Sequence, residues 1–354
     1  MNDRAPPQAE RAALYERMRP LGLTPLWEVL HALVPLQPAV RTQPAHWRWD
    51  EVRPFLAEAG RLISAEEAVR RVLILENPGW RGESRITSSL YAGLQLILPG
   101  EVAPSHRHAQ SALRFVVDGR GAWTAVDGER VTMEEGDFII TPAMAWHEHG
   151  NDGGQPVTWL DGLDIPTVAF FEAGFAENGS AARQAVTRVE GDSLARYGQG
   201  LLPVEGARRF GATSPIFSYP YARSREALAH LLRHGEPEAA HGHRVRYVNP
   251  ATGGWAMPTI ATWLQALPER HATQRSRSTA GRVYSVVEGR ARLTIADDRP
   301  GGASVGFDVG PRDHVVVPPW HWLSIDAERE TVLFGFSDAP LQQAAGLLRE
   351  ETAA

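Results

Sequence analysis

The stretch that decides the fold is GEVAPSHRHAQSALRFVVDGRG, residues 100–121, in which two histidines stand two positions apart. A β-strand has a period of two, so His106 and His108 point to the same side if this stretch is extended. Short β-like runs lie around it, separated by Pro-Gly, Asp-Gly and Glu-Gly pairs that are typical of turns. They cover residues 90–98, 112–117, 122–126, 130–133, 138–141 and 157–160. This spacing predicts an antiparallel barrel or jelly roll.

The layout of this block recurs later in the chain. A shift of 170 positions places Ser276-Arg277-Ser278 on His106-Arg107-His108. After a six-residue insertion in one loop the shift becomes 176, which places Leu323 on His147. Self-similarity of this kind indicates an internal duplication. The fold class predicted from the sequence is therefore all-β dominated, with two jelly-roll barrels of common origin.

Five regions are expected along the chain. The first is a helical arm over residues 1–85, because leucines between positions 23 and 33 recur at helical spacing and Ser64 precedes a short acidic run as a helix cap does. The regions that follow are a first barrel with the metal site over 86–178, a mixed connector over 179–254, a second barrel over 255–345 and a tail over 346–354.

The composition narrows the possible functions. The chain has 354 residues, no cysteine, and a formal net charge of −6 from 36 basic and 42 acidic residues. Without cysteine, only His, Asp and Glu are left as ligands for a metal. No basic block suits nucleic acid, and no apolar run reaches the about 18 residues that a membrane span needs. We expect a cytoplasmic protein with a small-molecule partner, no nucleic acid and no membrane.

Three histidines are predicted to hold a metal in the first barrel. His147 follows the strand predicted at 138–141, from which a neighbouring strand could place it beside His106 and His108. Three neutral nitrogens on one side of a divalent ion leave positions open for an anionic chelate and dioxygen. Transfer of electrons between the chelated anion and dioxygen requires a redox-active metal such as iron(II).

The second barrel is expected to hold no metal. Its corresponding positions carry Ser276, Ser278 and Leu323, and these side chains cannot replace imidazole. The pair His241 and His243 also has ligand spacing, but it lies in the polar connector without an evident third partner. We expect that pair to be a solvent-exposed loop.

Arg114 and His149 are the candidate catalytic residues, and both also count as substrate-binding candidates. Arg114 lies eight residues after His106, so an unbroken strand directs its guanidinium to the same side. A buried cation requires an anion, which is either a substrate carboxylate or an acidic side chain of the barrel. His149 shares the face of His147 and could move a proton or could be a polar rim residue.

Three further residues are weaker candidates for contact with the substrate. Gln95 and Tyr91 are four positions apart on the strand before the first motif, and they could line the pocket or be satisfied within the barrel wall. Asp161 is acidic in an otherwise apolar strand end, where it could meet a substrate hydroxyl or cap a turn.

These motifs resemble the cupin superfamily. Gly100, His106, His108 and Gly119 have the spacing of its first motif, although Ala112 stands at the position of the usual Glu. The second motif is met at Gly136, Pro142, His147 and Asn151. Longer runs look like gentisate 1,2-dioxygenase and its salicylate and 1-hydroxy-2-naphthoate relatives, at residues 71–78, 91–100, 106–114 and 246–254.

The resemblance implies an iron(II) bicupin that opens an aromatic ortho-hydroxy acid with O2. Gentisate is cleaved between its carboxyl-bearing and hydroxyl-bearing carbons to give maleylpyruvate, usually by a homotetramer. The family's iron ligands correspond to His106, His108 and His147. Its substrate contacts correspond to Gln95, Arg114 and His149, and less closely to Asp161.

Other functions remain open at this point. Tyr91 stands where the salicylate-cleaving relatives have Trp, which favours gentisate without deciding against salicylate or 1-hydroxy-2-naphthoate. Outside this reaction class, a redox-neutral metal cupin and a non-catalytic ligand-binding bicupin are the alternatives.

Overall fold

The structure is a computed structural model that describes residues 8–180, 183–201 and 211–353. Contacts divide the chain into two compact units, one that ends at Ala39 and one that begins at Val40. The first unit contains two helices, α1 (Gln8–Met18) and α2 (Leu26–Leu33). Between them the chain turns at Gly22, whose φ of 66° is the left-handed conformation that glycine adopts without strain.

The second unit consists mainly of strands. Those of its first half are β1 (Ala45–Trp47), β2 (Val72–Ile74), β3 (Tyr91–Ile97), β4 (Val102–His108), β5 (Ala112–Asp118), β6 (Ala122–Val126), β7 (Glu129–Thr132), β8 (Phe138–Thr141), β9 (His147–Asn151), β10 (Val157–Leu163), β11 (Ala176–Asn178) and β12 (Ser218–Tyr219). Those of its second half are β13 (His243–Arg246), β14 (Ala261–Leu267), β15 (Ser276–Ser278), β16 (Arg282–Glu288), β17 (Ala291–Ala296), β18 (Ser304–Val309), β19 (His314–Val317), β20 (Trp322–Ala327), β21 (Thr331–Ser337) and β22 (Glu350–Thr352).

Helices of the second unit lie before, between and after the barrels. They are α3 (Trp49–Leu62), α4 (Ala65–Ala68), α5 (Ile165–Phe170), α6 (Asp192–Tyr197), α7 (Tyr221–His234) and α8 (Ala339–Ala344). The helix start predicted at Ser64 is present, because the Ser64 hydroxyl accepts a hydrogen bond from the backbone N–H of Glu67 at 3.1 Å. No helix among the described residues is long and apolar enough to cross a bilayer.

The strands form two barrels, each from a six-stranded and a five-stranded sheet. The first barrel has the orders β12-β8-β5-β10-β3-β2 and β11-β4-β9-β6-β7, and the second has β1-β19-β16-β21-β14-β13 and β18-β17-β20-β15-β22. The predicted all-β, two-barrel fold is confirmed. The duplication extends to the backbone register, because His106 pairs with His147 in the first barrel and Ser276 pairs with Leu323 in the second.

Segments outside the two predicted barrels also supply strands. From the region expected as a helical arm, β1 pairs with β19 of the second barrel and β2 pairs with β3 of the first. The connector and the tail likewise contribute β12, β13 and β22. These strands have two to four residues, too short for an alternating pattern to appear in the sequence. They cover sheet edges, which would otherwise expose unpaired backbone groups.

The two six-stranded sheets pack against each other to form the core between the barrels. Phe115 of β5 and Phe334 of β21 stack there with ring centroids 4.1 Å apart and planes 8° apart. Both rings are almost fully buried, and each contributes about 1.5–3 kcal/mol by burial. Apolar residues from both barrels surround them, so the barrels share this core in addition to the apolar cluster inside each barrel.

The burial of His314 allows a prediction of how the free energy of unfolding depends on pH. His314 of β19 is 1 % exposed, and neither of its ring nitrogens has a hydrogen-bond partner. Burial lowers its pKa from 6.5 to about 4, against the opposing effect of Asp313 and with a further decrease from His46. Between pH 6.5 and 4 the unfolded chain therefore binds a proton that the folded chain excludes. The free energy of unfolding should therefore decrease as the pH is lowered from 6.5 to 4, by up to about 3 kcal/mol.

His314→Leu should reduce this acid sensitivity, because it removes the titrating ring and keeps an apolar side chain. Urea unfolding at pH 7 and at pH 4.5 should show a smaller loss of stability in the variant than in the unmodified protein. His230→Leu, which changes an exposed histidine of α7, is the matched control. Equal losses for the unmodified protein and the His314 variant would contradict the assignment.

Candidate metal centre

Two neighbouring strands bring the three histidines of the first barrel together. His106 and His108 lie at the end of β4, and His147 begins β9, where it is the cross-strand partner of His106. A ligand atom of each ring lies within 4.8 Å of those of the other two. Among the described residues they form the one cluster of three or more potential metal ligands.

Hydrogen bonds orient two of these rings. His108 Nδ1 lies 2.9 Å from the carbonyl oxygen of Gln110, and His147 Nδ1 lies 3.0 Å from that of Ala145. A carbonyl only accepts, so each Nδ1 carries the proton and each Nε2 keeps its lone pair. His147 Nε2 is buried and has no hydrogen-bond partner, which is costly unless a ligand satisfies it. Two histidines therefore have the tautomer and orientation of metal ligands.

The third ring contacts an arginine that the sequence analysis missed. Arg70 Nη2 lies 2.6 Å from His106 Nδ1 and also donates to the carbonyl of Pro104 at 2.7 Å. Metal binding through Nε2 would place the His106 proton on Nδ1, and Arg70 would then have to release that atom. The Pro104 carbonyl is the nearby acceptor that could take the bond.

The surroundings keep these rings neutral. Burial, followed by the positive charge of Arg70, lowers the pKa of His106 to about 3. Burial and then Arg114 hold the pKa of His147 well below its usual value. Neutral imidazole is the form that binds a metal. The donor set, the orphaned Nε2 atom and the charge state fit a divalent transition metal.

Arg114 is 3 % exposed on β5, and its charge adds to burial, the largest cause, in lowering the pKa of His106, His108 and His147. The unbroken strand that the parity argument assumed is absent, because β4 ends at His108 and β5 begins at Ala112 in the other sheet of the barrel. Its Nη1 donates to Thr141 Oγ1 at 2.6 Å. Its Nε is buried without a hydrogen-bond partner, 3.6 Å from a carboxylate oxygen of Asp161 on β10. An acidic side chain of the barrel is thus close to the guanidinium, although it leaves Nε without a hydrogen bond.

Two arginines and one aspartate leave a net positive charge beside the histidines. Desolvation raises the pKa of Asp161 to about 6 even though Arg114 opposes the change. Desolvation, and then Arg114, lowers the pKa of Arg70 to about 10, and no described residue forms an ion pair with Arg70. At neutral pH the three groups carry one excess positive charge, which suits a monoanionic ligand.

The other predicted site residues lie in the same barrel. His149 is 1 % exposed, and its Nδ1 lies 2.7 Å from Thr124 Oγ1. Gln95 is 4 % exposed on β3. Tyr91 lies on β3 as well, where burial and the charge of Asp161 raise its pKa. All eight predicted site residues therefore lie on strands of the first barrel, and no contact places Gln95 beside the histidines among the described residues.

The absence of a side chain at Gly93 leaves the space that Val72 and Tyr91 occupy. A Cβ atom at this position would lie 2.6 Å from Val72 Cγ1 and 2.8 Å from the Tyr91 hydroxyl oxygen. Gly93 pairs with Asp161, which pairs in turn with Arg114 on the next strand. Glycine, aspartate and arginine thus lie in a row across β3, β10 and β5.

The same row is filled in the second barrel. By the registers of β14, β21 and β16, the corresponding residues are Trp263, Gly335 and Tyr284. A Cβ atom on Gly335 would lie 2.3 Å from Trp263 Cε2, so the glycine is needed to admit the indole. The row that carries an aspartate and an arginine in the first barrel therefore carries two aromatic side chains in the second.

One of the two connector histidines, His243, differs from its prediction. His243 is 3 % exposed and lies in β13, so the expectation of an exposed loop is wrong for this residue. It pairs with Ala266 of β14, an interaction between distant segments that the polar local sequence does not indicate.

Sequence reasoning missed Arg70, Thr124 and Thr141. Arg70 precedes the three-residue strand β2 and follows Val69, which has a φ of 55°. Its approach to His106 joins segments 36 positions apart. The two threonines are ordinary strand residues, and only the pairing of their strands places their hydroxyls against His149 and Arg114. No local pattern marks these three positions.

The fold and the histidine cluster define the protein as a double cupin whose first barrel has a three-histidine site compatible with a metal. A family model described as "Cupin domain" matches residues 93–163. The chain is 51 % identical over 341 residues to gentisate 1,2 dioxygenase 1 of Aquipseudomonas alcaligenes, with 96 % of each chain covered. It is 37 % identical over 361 residues to a gentisate 1,2-dioxygenase of a Streptomyces species, with 99 % of this chain and 98 % of the relative covered.

A solved structure is similar over the full length. The salicylate 1,2-dioxygenase of Pseudoaminobacter salicylatoxidans, determined as an adduct with gentisate, has a TM-score of 0.90 at 33 % identity. The alignment covers 100 % of this chain and 96 % of that one. The chain belongs to the gentisate 1,2-dioxygenase family. The prediction of a ring-cleaving dioxygenase is confirmed.

Loss of one imidazole should abolish metal binding. His108→Ala leaves two nitrogens, which hold a divalent ion too weakly to survive gel filtration. Elemental analysis should find about one metal ion per unmodified chain and less than about a tenth of that in the variant. His230→Ala, on the exposed side of α7, is the matched control and should retain its metal. Unchanged metal content in the His108 variant would contradict the site.

Proposed function

We propose that this protein is an iron(II)-dependent dioxygenase that cleaves gentisate between C1 and C2 to give maleylpyruvate. The observation that carries the proposal is the cluster of three neutral histidines beside the buried Arg114 and the partly buried Arg70. The histidines suit a redox-active divalent metal, and the arginines suit the carboxylate of an aromatic acid. Family membership supports the same reaction class.

The reaction consumes one dioxygen for each gentisate. The bond between the carboxyl-bearing carbon and the 2-hydroxyl-bearing carbon breaks, and both oxygen atoms are retained in the product. When bound by His106, His108 and His147, iron(II) would supply the redox chemistry that couples the aromatic acid to dioxygen.

The arginines fix the substrate through its carboxylate. Arg114 has a buried Nε without a hydrogen-bond partner, and a carboxylate can accept from a guanidinium at two atoms. Arg70 adds a second positive charge on the side of His106. Asp161 balances one of the two charges, so the substrate carboxylate balances the other. This arrangement orients the ring without a net buried charge.

His149 is placed to act on an oxygen of the bound ring. Burial and then the charge of Arg114 hold its pKa well below the usual value, so the ring is neutral. Its centroid lies 5.8 Å from that of His147, and the Thr124 hydroxyl fixes its orientation through Nδ1. The free Nε2 can then hold a hydrogen bond or accept a proton from a ring hydroxyl.

Gentisate is favoured over salicylate by two observations. The identity to a gentisate 1,2 dioxygenase is 51 %, whereas the identity to the salicylate 1,2-dioxygenase structure is 33 %. In addition, Tyr91 presents a phenol near Asp161, which gives the cavity wall a polar group where a 5-hydroxyl could be received. The 5-hydroxyl also donates electron density to the ring, which assists attack by oxygen.

Oxygen uptake tests the proposed reaction. Protein depleted of metal and then loaded anaerobically with iron(II) should consume one O2 per gentisate, with the ultraviolet absorption of a ring-opened product. Salicylate should react more slowly, and zinc-loaded protein should be inactive. The proposal fails if no ortho-hydroxy aromatic acid causes uptake, or if zinc supports turnover without oxygen.

Arg114→Met should impair the use of substrate while leaving the metal in place. A charge-assisted hydrogen bond contributes about 1.5–3 kcal/mol, so kcat/KM should fall by about 10- to 100-fold. The matched control is Arg107→Met, because Arg107 lies between the ligand histidines in sequence but forms an ion pair with Glu177 at 2.6 Å on the other face of β4. Equal kinetics for both variants would contradict the role of Arg114.

Assembly and location are proposed on family grounds. A homotetramer in the cytoplasm is the expectation for this family. Light scattering on the purified protein tests the assembly, since a monomer or dimer at micromolar concentration would contradict the tetramer.

A further inference from the structure

A cavity of about 460 Å³ opens into the second barrel. Residues of β13, β14, β15, β16 and the segment after α8 line it. Ala261 and Ser278 on its wall correspond to Tyr91 and His108 of the first barrel. The cavity therefore lies at the end of the second barrel that corresponds to the metal end of the first.

A buried arginine on this wall lacks an anionic partner. Arg282 is 5 % exposed, and its Nε has no hydrogen-bond partner. Its Nη atoms make only long contacts, 3.3–3.5 Å, to Ser276 and to the carbonyl of His321. No described carboxylate forms an ion pair with it. A buried guanidinium in this state is costly, and an anion at the wall would offset the cost.

Two more arginines of β13 line the same cavity. Arg244 and Arg246 form no ion pair with a described residue, and Arg246 donates to the carbonyl of Gly253 at 2.9 Å. Burial, and then the charges of Arg244 and Arg282, lowers the pKa of His241 to about 3. Glu350 is the carboxylate on the wall, and it is exposed. Three guanidinium groups against one carboxylate leave the cavity cationic.

Two tryptophan side chains also line the cavity and add apolar surface to it. Trp263 and Trp255 line the cavity, and the guanidinium groups of Arg244 and Arg246 lie 5.6 Å from their respective ring centroids. Flat apolar faces beside guanidinium groups suit a planar ring that carries a carboxylate. Because Trp263 also fills the deeper part of the barrel, a ligand would be held at the mouth and would be small.

We propose that the mouth of the second barrel, lined by Arg282, Arg244 and Trp263, is a metal-independent binding site for a small aromatic carboxylate. The carboxylate lies against Arg282 and Arg244, and the ring lies against the indoles. The second barrel has thus lost the metal ligands but has acquired its own cationic pocket. This site does not depend on the reaction proposed for the first barrel.

Benzoate is a suitable probe because it lacks the ortho-hydroxyl that a metal chelate needs. Calorimetric titration should use full-length, metal-depleted protein carrying Arg114→Met, which weakens binding in the first barrel, and changes in the second barrel then identify the remaining site. One benzoate should bind per chain. Adding Arg282→Met or Arg244→Ala should weaken binding by about tenfold or more. Adding Arg292→Ala, on the exposed outer face of β17 where it pairs with Asp308, should leave it unchanged.

Three outcomes would overturn the proposal. They are no benzoate binding in the Arg114→Met background, unchanged binding after the change at Arg244, and inorganic phosphate binding as tightly as benzoate. The last would indicate a simple anion site without aromatic recognition. Arg244 is exposed, so its removal should not impair folding, and thermal unfolding checks this for both variants. Quenching of tryptophan fluorescence by benzoate should disappear in the same two variants.

Discussion

The pairing of β4 with β9 is the constraint on which the candidate site depends. This pairing sets His106 opposite His147, while the two-residue period of β4 adds His108 on the same side. A shift of one residue in the pairing would turn one strand's ligands out of the barrel. The irregularity between Ala103 and His106 shows that the strand accommodates a bulge and still presents both imidazoles. The register is also retained in the second barrel, where Ser276 faces Leu323.

Charge decides what can enter beside the metal ligands. Arg114 is buried and Arg70 is partly buried, and Asp161 balances only one of them. Electrostatic interactions are stronger in such surroundings than in water, so an unbalanced cation favours a monoanion over a neutral ring. Burial, and then the same charges, depresses the pKa values of the histidines and keeps them neutral, the form that binds a metal.

The two barrels have corresponding strand pairing but different side chains in their interiors. Gly93, Asp161 and Arg114 form a row across three strands, and Trp263, Gly335 and Tyr284 occupy the corresponding row. Trp263 is larger than Gly93, to which it corresponds, and Gly335 on the next strand is smaller than the corresponding Asp161. Close packing requires such a compensating change in volume. The shared core between the six-stranded sheets, with Phe115 on Phe334, is apolar and does not change with either interior.

The sequence by itself determined the duplication, most strands of the first barrel and the three histidines, because these depend on periods and spacings within short segments. The parity argument for Arg114 did not hold, because the chain leaves β4 after His108 and begins β5 in the other sheet. Only the tertiary structure decided that Arg70 reaches His106, that Asp161 lies 3.6 Å from Arg114, that the short strands β1 and β2 join different barrels, and that His243 is buried. These features are contacts between segments far apart in the chain, and their energies come from burial and pairing that no local pattern records.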